Sequence, residues 1–161
     1  MCYIYNGDKV KRKIIKFIIV IFFMFSIFYF SSDNDTKSNK KSDGVVIGLC
    51  KVIMGDKYNE NKKDYYINKY VFIVRKLAHF TIYFCLGCSL ISFISEFMII
   101  NYKAILLALL ICIIYAISDE VHQLFIGGRS GRILDVLIDS LGSFCGIYNY
   151  YLFTKIRRKL L

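Results

Sequence analysis

The chain of 161 residues contains no proline and no tryptophan, and only 21% of its residues are charged. Collagens, disordered chains and nucleic-acid-binding tails need compositions rich in polar residues or in proline and glycine, so these classes are excluded for the chain as a whole. Hydrophobic residues make up 57% of the sequence, against about 45–50% in a typical soluble domain. Charged residues are clustered and apolar residues form long runs, which argues against a soluble enzyme.

The apolar residues form four runs of a length that suits a bilayer, at 14–30, 77–95, 98–118 and 133–153. In lipid only helices and closed barrels satisfy the backbone, and these runs lack the alternation of barrel strands. We therefore predict an all-α integral membrane protein, a small bundle of four transmembrane helices. The third run reaches spanning length only if it begins near Met98 and Lys103 extends to the interface.

The first apolar run and the segment 31–69 that follows it need separate interpretation. The first run also fits a cleavable signal peptide, but Tyr29 and Phe30 stand where cleavage needs small residues, so an uncleaved anchor is favoured. Residues 31–69 are predicted to be a polar loop outside the bilayer, with a short strand or interfacial segment over 45–54. No chemistry is assigned to this loop.

The net charge of +10 is concentrated at the ends of the apolar runs. Five basic residues abut the first run and four follow the last, which is typical of topology signals and headgroup contacts rather than of nucleic-acid binding. Both termini are therefore predicted to be cytoplasmic. The residues are Lys9, Lys11, Arg12, Lys13 and Lys16, and Lys155, Arg157, Arg158 and Lys159.

Polar residues interrupt the apolar pattern in two places that alternating topology brings to the same side of the membrane. Arg75, His79 and Tyr83 are four residues apart, so they share one face of the second predicted helix. The other place is the end of the third helix and the start of the fourth. Its polar residues and glycines are Asp119, Glu120, His122, Gln123, Gly128, Arg129, Arg132, Asp135 and Asp139.

Asp139 is the most informative of these residues because it lies inside an apolar run. It stands six positions after residue 133, roughly 9 Å deep at about 1.5 Å per residue. A charged residue near a helix centre costs approximately 2.5–3.5 kcal/mol, so it usually faces the bundle and has a partner. Gly142 and Gly146 continue the same stripe as a G-x-x-x-G motif, which predicts close helix packing.

The chemistry of this polar region has several interpretations. Asp119, Glu120 and His122 are candidates for an acid–base centre. The residues Arg75, His79, Gln123, Gly128, Arg129, Arg132, Asp135 and Asp139 are candidates for ligand binding, with the arginines holding an anionic group. A helix hairpin with capping charges is the purely structural alternative. No cofactor is indicated. No metal-binding motif is present, since there is no H-E-x-x-H and the C-x-x-C of Cys85 and Cys88 lacks a second pair. A metal nevertheless stays open, because plausible ligands are present in His79, Asp119, Glu120, His122, Asp135 and Asp139.

Several short motifs stand together in residues 70–150. They are R-K-x-x-H-F at 75–80 followed by Tyr83, D-E-x-H-Q-x-F at 119–125, G-R-x-G at 128–131, and D-V-x-x-D at 135–139 followed by Gly142. This combination resembles the VanZ family of membrane proteins, whose founding member is associated with teicoplanin resistance. One departure is Gly127, which stands where the family often has proline.

The resemblance implies a small multi-pass protein of the bacterial cytoplasmic membrane with a role in lowering teicoplanin susceptibility. It implies membrane lipids as partners, and a lipid-linked cell-wall precursor or the glycopeptide itself as a ligand. A Gram-positive source is consistent with the high content of Ile, Lys, Asn and Tyr. Four functions remain: binding of an envelope ligand, hydrolase or transferase chemistry on a lipid phosphate or envelope intermediate, proton-coupled transport, and a structural role. The oligomeric state stays open.

Overall fold

The computed structural model describes residues 2–32, 35–126 and 132–160. Within these ranges the chain forms five α-helices: α1 (Cys2–Ser31), α2 (Asp35–Met54), α3 (Lys63–Ile94), α4 (Tyr102–Leu124) and α5 (Ile133–Leu160). Two short 3₁₀ turns, Gly55–Lys57 and Glu60–Lys62, join α2 to α3. The described residues contain no strand, so the predicted all-α architecture is confirmed.

Three segments are long and apolar enough to cross a membrane by length and composition: Gly7–Ser31, Glu60–Ile94 and Tyr102–Leu124. Large apolar side chains cover their outer surfaces; Phe22 and Phe25 of α1, for example, are 62% and 66% exposed. Such a surface is stable in lipid and unfavourable in water. The chain is therefore a membrane protein. A fourth span over 133–153 stays a prediction, since α5 is not among the three segments.

The segment 31–69 differs from the polar loop predicted for it, because most of it is helical. Val46, Cys50 and Met54 are four residues apart on α2, so they form one stripe, and this stripe packs against Tyr66 and Val74 of α3. A helix with so few apolar residues gains its stability from such tertiary contacts rather than from its own propensity. The second helix accordingly begins at Lys63, well before residue 77.

The third predicted span also begins later than expected, at Tyr102 rather than near Met98. Asn101 is the reason, because its side-chain oxygen accepts hydrogen bonds from the backbone N–H groups of Lys103 and Ala104 at 3.0 and 3.1 Å. This is an N-cap, which satisfies donors that the first turn leaves without partners. The helix continues to Leu124, beyond the predicted end at 118, so Asp119, Glu120 and His122 are helical.

Helix α3 lies at the centre of the bundle: it contacts each of the other four helices and packs most extensively against α5. Glycine makes the α3–α5 contact close. A Cβ atom on Gly142 or Gly146 would lie within 3.0 Å of the carbonyl oxygen of Phe80 or Phe84 of α3. Only glycine fits where backbone meets backbone at this separation. The crossing fixes α5, and with it Asp139, against α3.

Helix α4 presents a stripe of small buried residues to the bundle. Ala104, Ala108, Cys112 and Ala116 are spaced by four and are at most 1% exposed. Small side chains allow neighbouring helices to approach, and the same face then continues into the polar end of α4. The core formed by these residues includes Tyr83, Leu86 and Ile91 of α3 and Ile147 of α5.

A salt-bridge cluster joins α1 to the turn between α3 and α4. Glu96 binds Lys16 at 2.6 Å and Arg12 at 2.9 Å, and Lys16 also donates to the carbonyl of Ser92 at 3.0 Å. The Glu96 side chain is only 8% exposed, and the hydrogen bond from Lys16 holds the pKa of this carboxyl below its ordinary value. Two of the basic residues at the start of the first run thus bind Glu96, besides any contact with lipid headgroups.

The Glu96 cluster predicts an acid-sensitive stability increment. Because the folded-state pKa is lowered, the increment is present above the unfolded-state pKa and is lost as the pH falls through the folded-state value. We expect Glu96→Gln to lower the melting temperature at pH 7 by about 2–4 °C, and to have no effect well below pH 4. Thermal unfolding of the wild type and the variant in detergent across this pH range measures the difference in melting temperature. A difference that persists unchanged into acid would contradict the electrostatic cause.

Candidate functional site

The polar ends of α4 and α5 place carboxylates inside the bundle. Asp119 is 4% exposed and Asp139 is 1% exposed. Asp119 follows the buried stripe of α4, and Asp139 is held against α3 by the glycine crossing that begins one turn later. Burying a carboxylate is costly unless it is paired, hydrogen-bonded or bound to a metal. The partners of these two residues therefore decide the nature of the site.

His79 of α3 brings the two carboxylates together. Its Nδ1 atom lies 3.5 Å from Oδ1 of Asp139. One ligand atom from each of His79, Asp119 and Asp139 lies within 4.8 Å of the other two. We call these three residues the His–Asp–Asp cluster. Three helices supply one member each, so the cluster exists only when α3, α4 and α5 are packed.

Several polar atoms at the cluster have no hydrogen-bond partner of normal geometry among the described residues. They are Nδ1 of His79, the hydroxyl of Tyr83, Oδ1 of Asp119, and both carboxylate oxygens of Asp139. Tyr83 is fully buried one turn after His79 and interacts electrostatically with both aspartates. Buried polar atoms are nearly always satisfied in native proteins, so this group of atoms is a candidate for binding water, an ion or another ligand.

Two further residues support Asp119 from outside the cluster. The Gln123 side-chain amide donates to Oδ2 of Asp119 at 3.1 Å. Ser31, at the end of α1 and 1% exposed, interacts with the same carboxylate. These contacts restrict the rotation of the Asp119 side chain, and its Oδ1 atom has no hydrogen-bond partner among the described residues.

The remaining acidic candidates hold helices together at the rim of the site. Asp135 forms a salt bridge with Lys76 of α3. Glu120 accepts a hydrogen bond from the backbone N–H of Arg132, just before α5 begins. Both contacts fix the start of α5, and the Arg132 side chain is exposed. Gly128 and Arg129, predicted as ligand-binding residues, lie outside the described residues.

His122 points away from the cluster. Its ring stacks on Phe28 of α1 at a centroid distance of 4.5 Å, and its Nε2 atom lies 3.2 Å from Oγ of Ser32. The three residues predicted as an acid–base centre are therefore divided: Asp119 joins His79 and Asp139, Glu120 binds the start of α5, and His122 contacts α1.

A groove lies beside the cluster, between α1, α2 and α3. Its cavity volume is about 310 Å³, and one wall contains His79. Lys41 of α2 and Arg75 of α3 provide positive charge, while the other lining residues are mainly apolar. The full lining is Ile27, Phe30, Ser31, Lys41, Ser42, Val45, Val74, Arg75, Ala78, His79 and Ile82.

The contribution of α2 to this groove is not predicted from the sequence. Lys41, Ser42 and Val45 stand in the segment interpreted as a loop without chemistry. The available signal was the four-residue spacing of Val46, Cys50 and Met54, which fits a helix better than the short strand considered there. The sequence predicts that Arg75 lies near the polar ends of α4 and α5. In the structure Arg75 lines the groove together with residues of α2.

Comparisons with known proteins give one result. A search of curated proteins and a search of solved structures return no match. The sequence model of a family described as VanZ/LLP1 matches residues 16–154, which is most of the chain and includes every member of the His–Asp–Asp cluster and the whole groove lining. The resemblance in the short motifs thus extends to the first helix and to α2, and the chain belongs to the VanZ/LLP1 family.

Proposed function

We propose that the protein binds an anionic amphiphile of the bacterial cell envelope in the groove between α1, α2 and α3. The observation that carries this proposal is the groove itself, which combines two cationic side chains with a long apolar lining. In this proposal the headgroup binds Lys41 and Arg75, and the hydrocarbon chain lies against residues such as Ile27 and Val74.

The size and chemistry of the groove favour a lipid-like ligand over a soluble one. Its volume of about 310 Å³ lies at the lower end of the range for ligand sites, roughly 300–1,000 Å³. That suits a headgroup with the first part of an acyl chain, while the rest of the chain stays in the bilayer. Arginine binds phosphate or carboxylate bidentately, and each buried CH₂ group contributes about 0.8 kcal/mol.

The cellular role proposed from this site is modulation of the envelope at the cytoplasmic membrane. Membrane lipids, a lipid-linked cell-wall precursor and the acylated glycopeptide teicoplanin all share an anionic group and a hydrocarbon chain. Binding one of these molecules at the membrane surface would change the access of the glycopeptide to the cell-wall precursors, and this would lower teicoplanin susceptibility. The proposal keeps both termini in the cytoplasm and involves no nucleic acid.

A second candidate function is a membrane-embedded hydrolase or transferase acting on a lipid phosphate or envelope intermediate. One observation favours it: His79 belongs both to the groove lining and to the His–Asp–Asp cluster. A ligand in the groove would then lie next to groups able to exchange protons. The order of events would be binding first and chemistry second, so binding is tested first.

The test measures lipid binding to the detergent-solubilised protein by native mass spectrometry during titration with phosphatidylglycerol or phosphatidylcholine. We expect tighter binding of the anionic lipid, and about fivefold weaker binding after Arg75→Gln, since a basic residue at the surface contributes about 1 kcal/mol. Lys69→Gln is the matched control: it removes the same charge from an exposed position of α3 outside the groove. Equal affinity for the two lipids, or equal losses in the two variants, would reject the groove as the binding site.

A further inference from the structure

We propose that His79, Asp119 and Asp139 form a binding site for one divalent transition-metal ion, with Zn²⁺ as the first candidate. The three side chains offer one imidazole nitrogen and two carboxylate oxygens, which are ligands that Zn²⁺ binds in proteins. The proposal stands on the cluster alone and does not depend on which ligand fills the groove.

The spacing of the ligand atoms fits a metal. Two ligands bonded to one tetrahedral ion at about 2.1 Å are separated by about 3.4 Å. Nδ1 of His79 and Oδ1 of Asp139 are 3.5 Å apart, which already matches this value. The third ligand atom lies within 4.8 Å of the other two, so Asp119 needs a side-chain shift of about 1 Å to complete the set.

Charge supports a divalent ion in the same place. Metal ligation requires ionised carboxylates and a neutral imidazole, so the ligating cluster would carry two negative charges on aspartates that have little access to water. The lysine nearest to them in α3, Lys76, binds Asp135 at the rim and acts on Asp139 only through space. A divalent cation would neutralise the cluster and satisfy the atoms of His79, Asp119 and Asp139 that have no hydrogen-bond partner.

The surroundings resemble those of a metal site rather than of an ion pair. Gln123 donates to the Oδ2 atom of Asp119 and leaves Oδ1 for the cluster, which is how an outer partner orients a metal ligand. The Tyr83 hydroxyl, buried and interacting with both aspartates, can bind the ion or a water molecule on it. Three protein ligands leave an open coordination position, as in catalytic zinc sites.

The experiment measures metal binding to the full-length protein in detergent. The protein is stripped with a chelator, titrated with Zn²⁺ against a fluorescent chelator, and analysed for bound metal by elemental mass spectrometry. We expect one ion per chain in the wild type. His79→Gln and Asp139→Asn should each weaken binding by more than the roughly 10–100-fold that loss of an outer partner costs.

Matched controls separate this site from other metal-binding groups. His122→Gln and Asp135→Asn remove a histidine and a carboxylate that lie outside the cluster, and the double variant Cys85→Ser, Cys88→Ser removes the C-x-x-C thiols. All three should bind Zn²⁺ like the wild type. Melting temperatures identify any variant that fails to fold, and the partly exposed His79 provides a replacement that disturbs packing least.

Cobalt supplies a readout that folding alone does not change. Co²⁺ in a site of one nitrogen and two oxygens should give visible d–d bands without the intense near-ultraviolet band of thiolate ligation, and His79→Gln should alter these bands. A wild type without a stoichiometric ion, cluster variants that bind like the wild type, or a loss that equals that of the His122 control would each overturn the proposal.

Discussion

Gly146→Ala is expected to be among the most destabilising single-methyl substitutions in the chain. The added Cβ would meet the carbonyl oxygen of Phe84 and the backbone nitrogen of Cys88, and backbone atoms cannot rotate away as a side chain does. Helices α3 and α5 must separate instead. We expect the free energy of unfolding to fall by an amount at the upper end of the roughly 1–3 kcal/mol typical of overpacking. This corresponds to a decrease of about 5–10 °C in melting temperature.

Gly48→Ala is the matched control, because the same methyl group is added to a helix where nothing lies within 4 Å. There we expect a gain of about 0.5–1 kcal/mol, since alanine loses less backbone entropy than glycine in a helix. The two substitutions therefore have opposite predicted signs. Thermal unfolding of both variants in the same detergent checks this, and a stable Gly146→Ala protein would mean that α3 and α5 are less closely packed than described.

The same substitution should also loosen the His–Asp–Asp cluster. Asp139 lies two turns before Gly146 on α5, and the 3.5 Å separation from His79 depends on the distance between α3 and α5. Metal binding and stability should therefore fall together in Gly146→Ala, whereas Asp139→Asn should affect metal binding far more than stability. This contrast separates damage to the scaffold from damage to the site.

The sequence predicts the architecture because its strongest signals are long and apolar. Run length, basic flanking residues and the G-x-x-x-G of Gly142 and Gly146 depend only on local sequence, and they indicate helices that pack closely in a bilayer. Helix α2 is the exception. Its apolar stripe of Val46, Cys50 and Met54 is stabilised by Tyr66 of α3, and a contact between distant residues leaves little trace in a local pattern.

The sequence predicts which residues belong to the candidate site better than it predicts which of them contact one another. Alternating topology brings His79 near the carboxylates of α4 and α5, while spacing alone allows Asp119 to pair with His122. The burial stripe of α4 decides between these pairings. It continues from Ala116 to Asp119 and Gln123, and His122 falls beside it against Phe28. Which face of a helix is buried is a property of the packed bundle, although the small residues of the stripe carry that signal in the sequence.

The largest effect on cellular function is expected from Asp139→Asn. Under the function proposed above, expression of the wild type in a sensitive Gram-positive host should raise teicoplanin resistance, with vancomycin as the comparison antibiotic. Asp139 is 1% exposed and lies against His79, which lines the groove, so its amide should disturb the groove and return susceptibility to that of the host. The amide keeps the shape of the side chain and removes its charge, which leaves packing nearly unchanged.

Asp135→Asn is the matched control, because it makes the same chemical change one helical turn earlier, where the carboxylate pairs with Lys76 instead of joining the cluster. With both variants at wild-type levels in the membrane, Asp135→Asn should retain most of the resistance. Equal losses would assign the effect to the charged rim, and retention in both would separate envelope function from the cluster. An effect on vancomycin equal to that on teicoplanin would argue against recognition of an acyl chain, since the apolar lining of the groove is proposed to distinguish ligands by their hydrocarbon part.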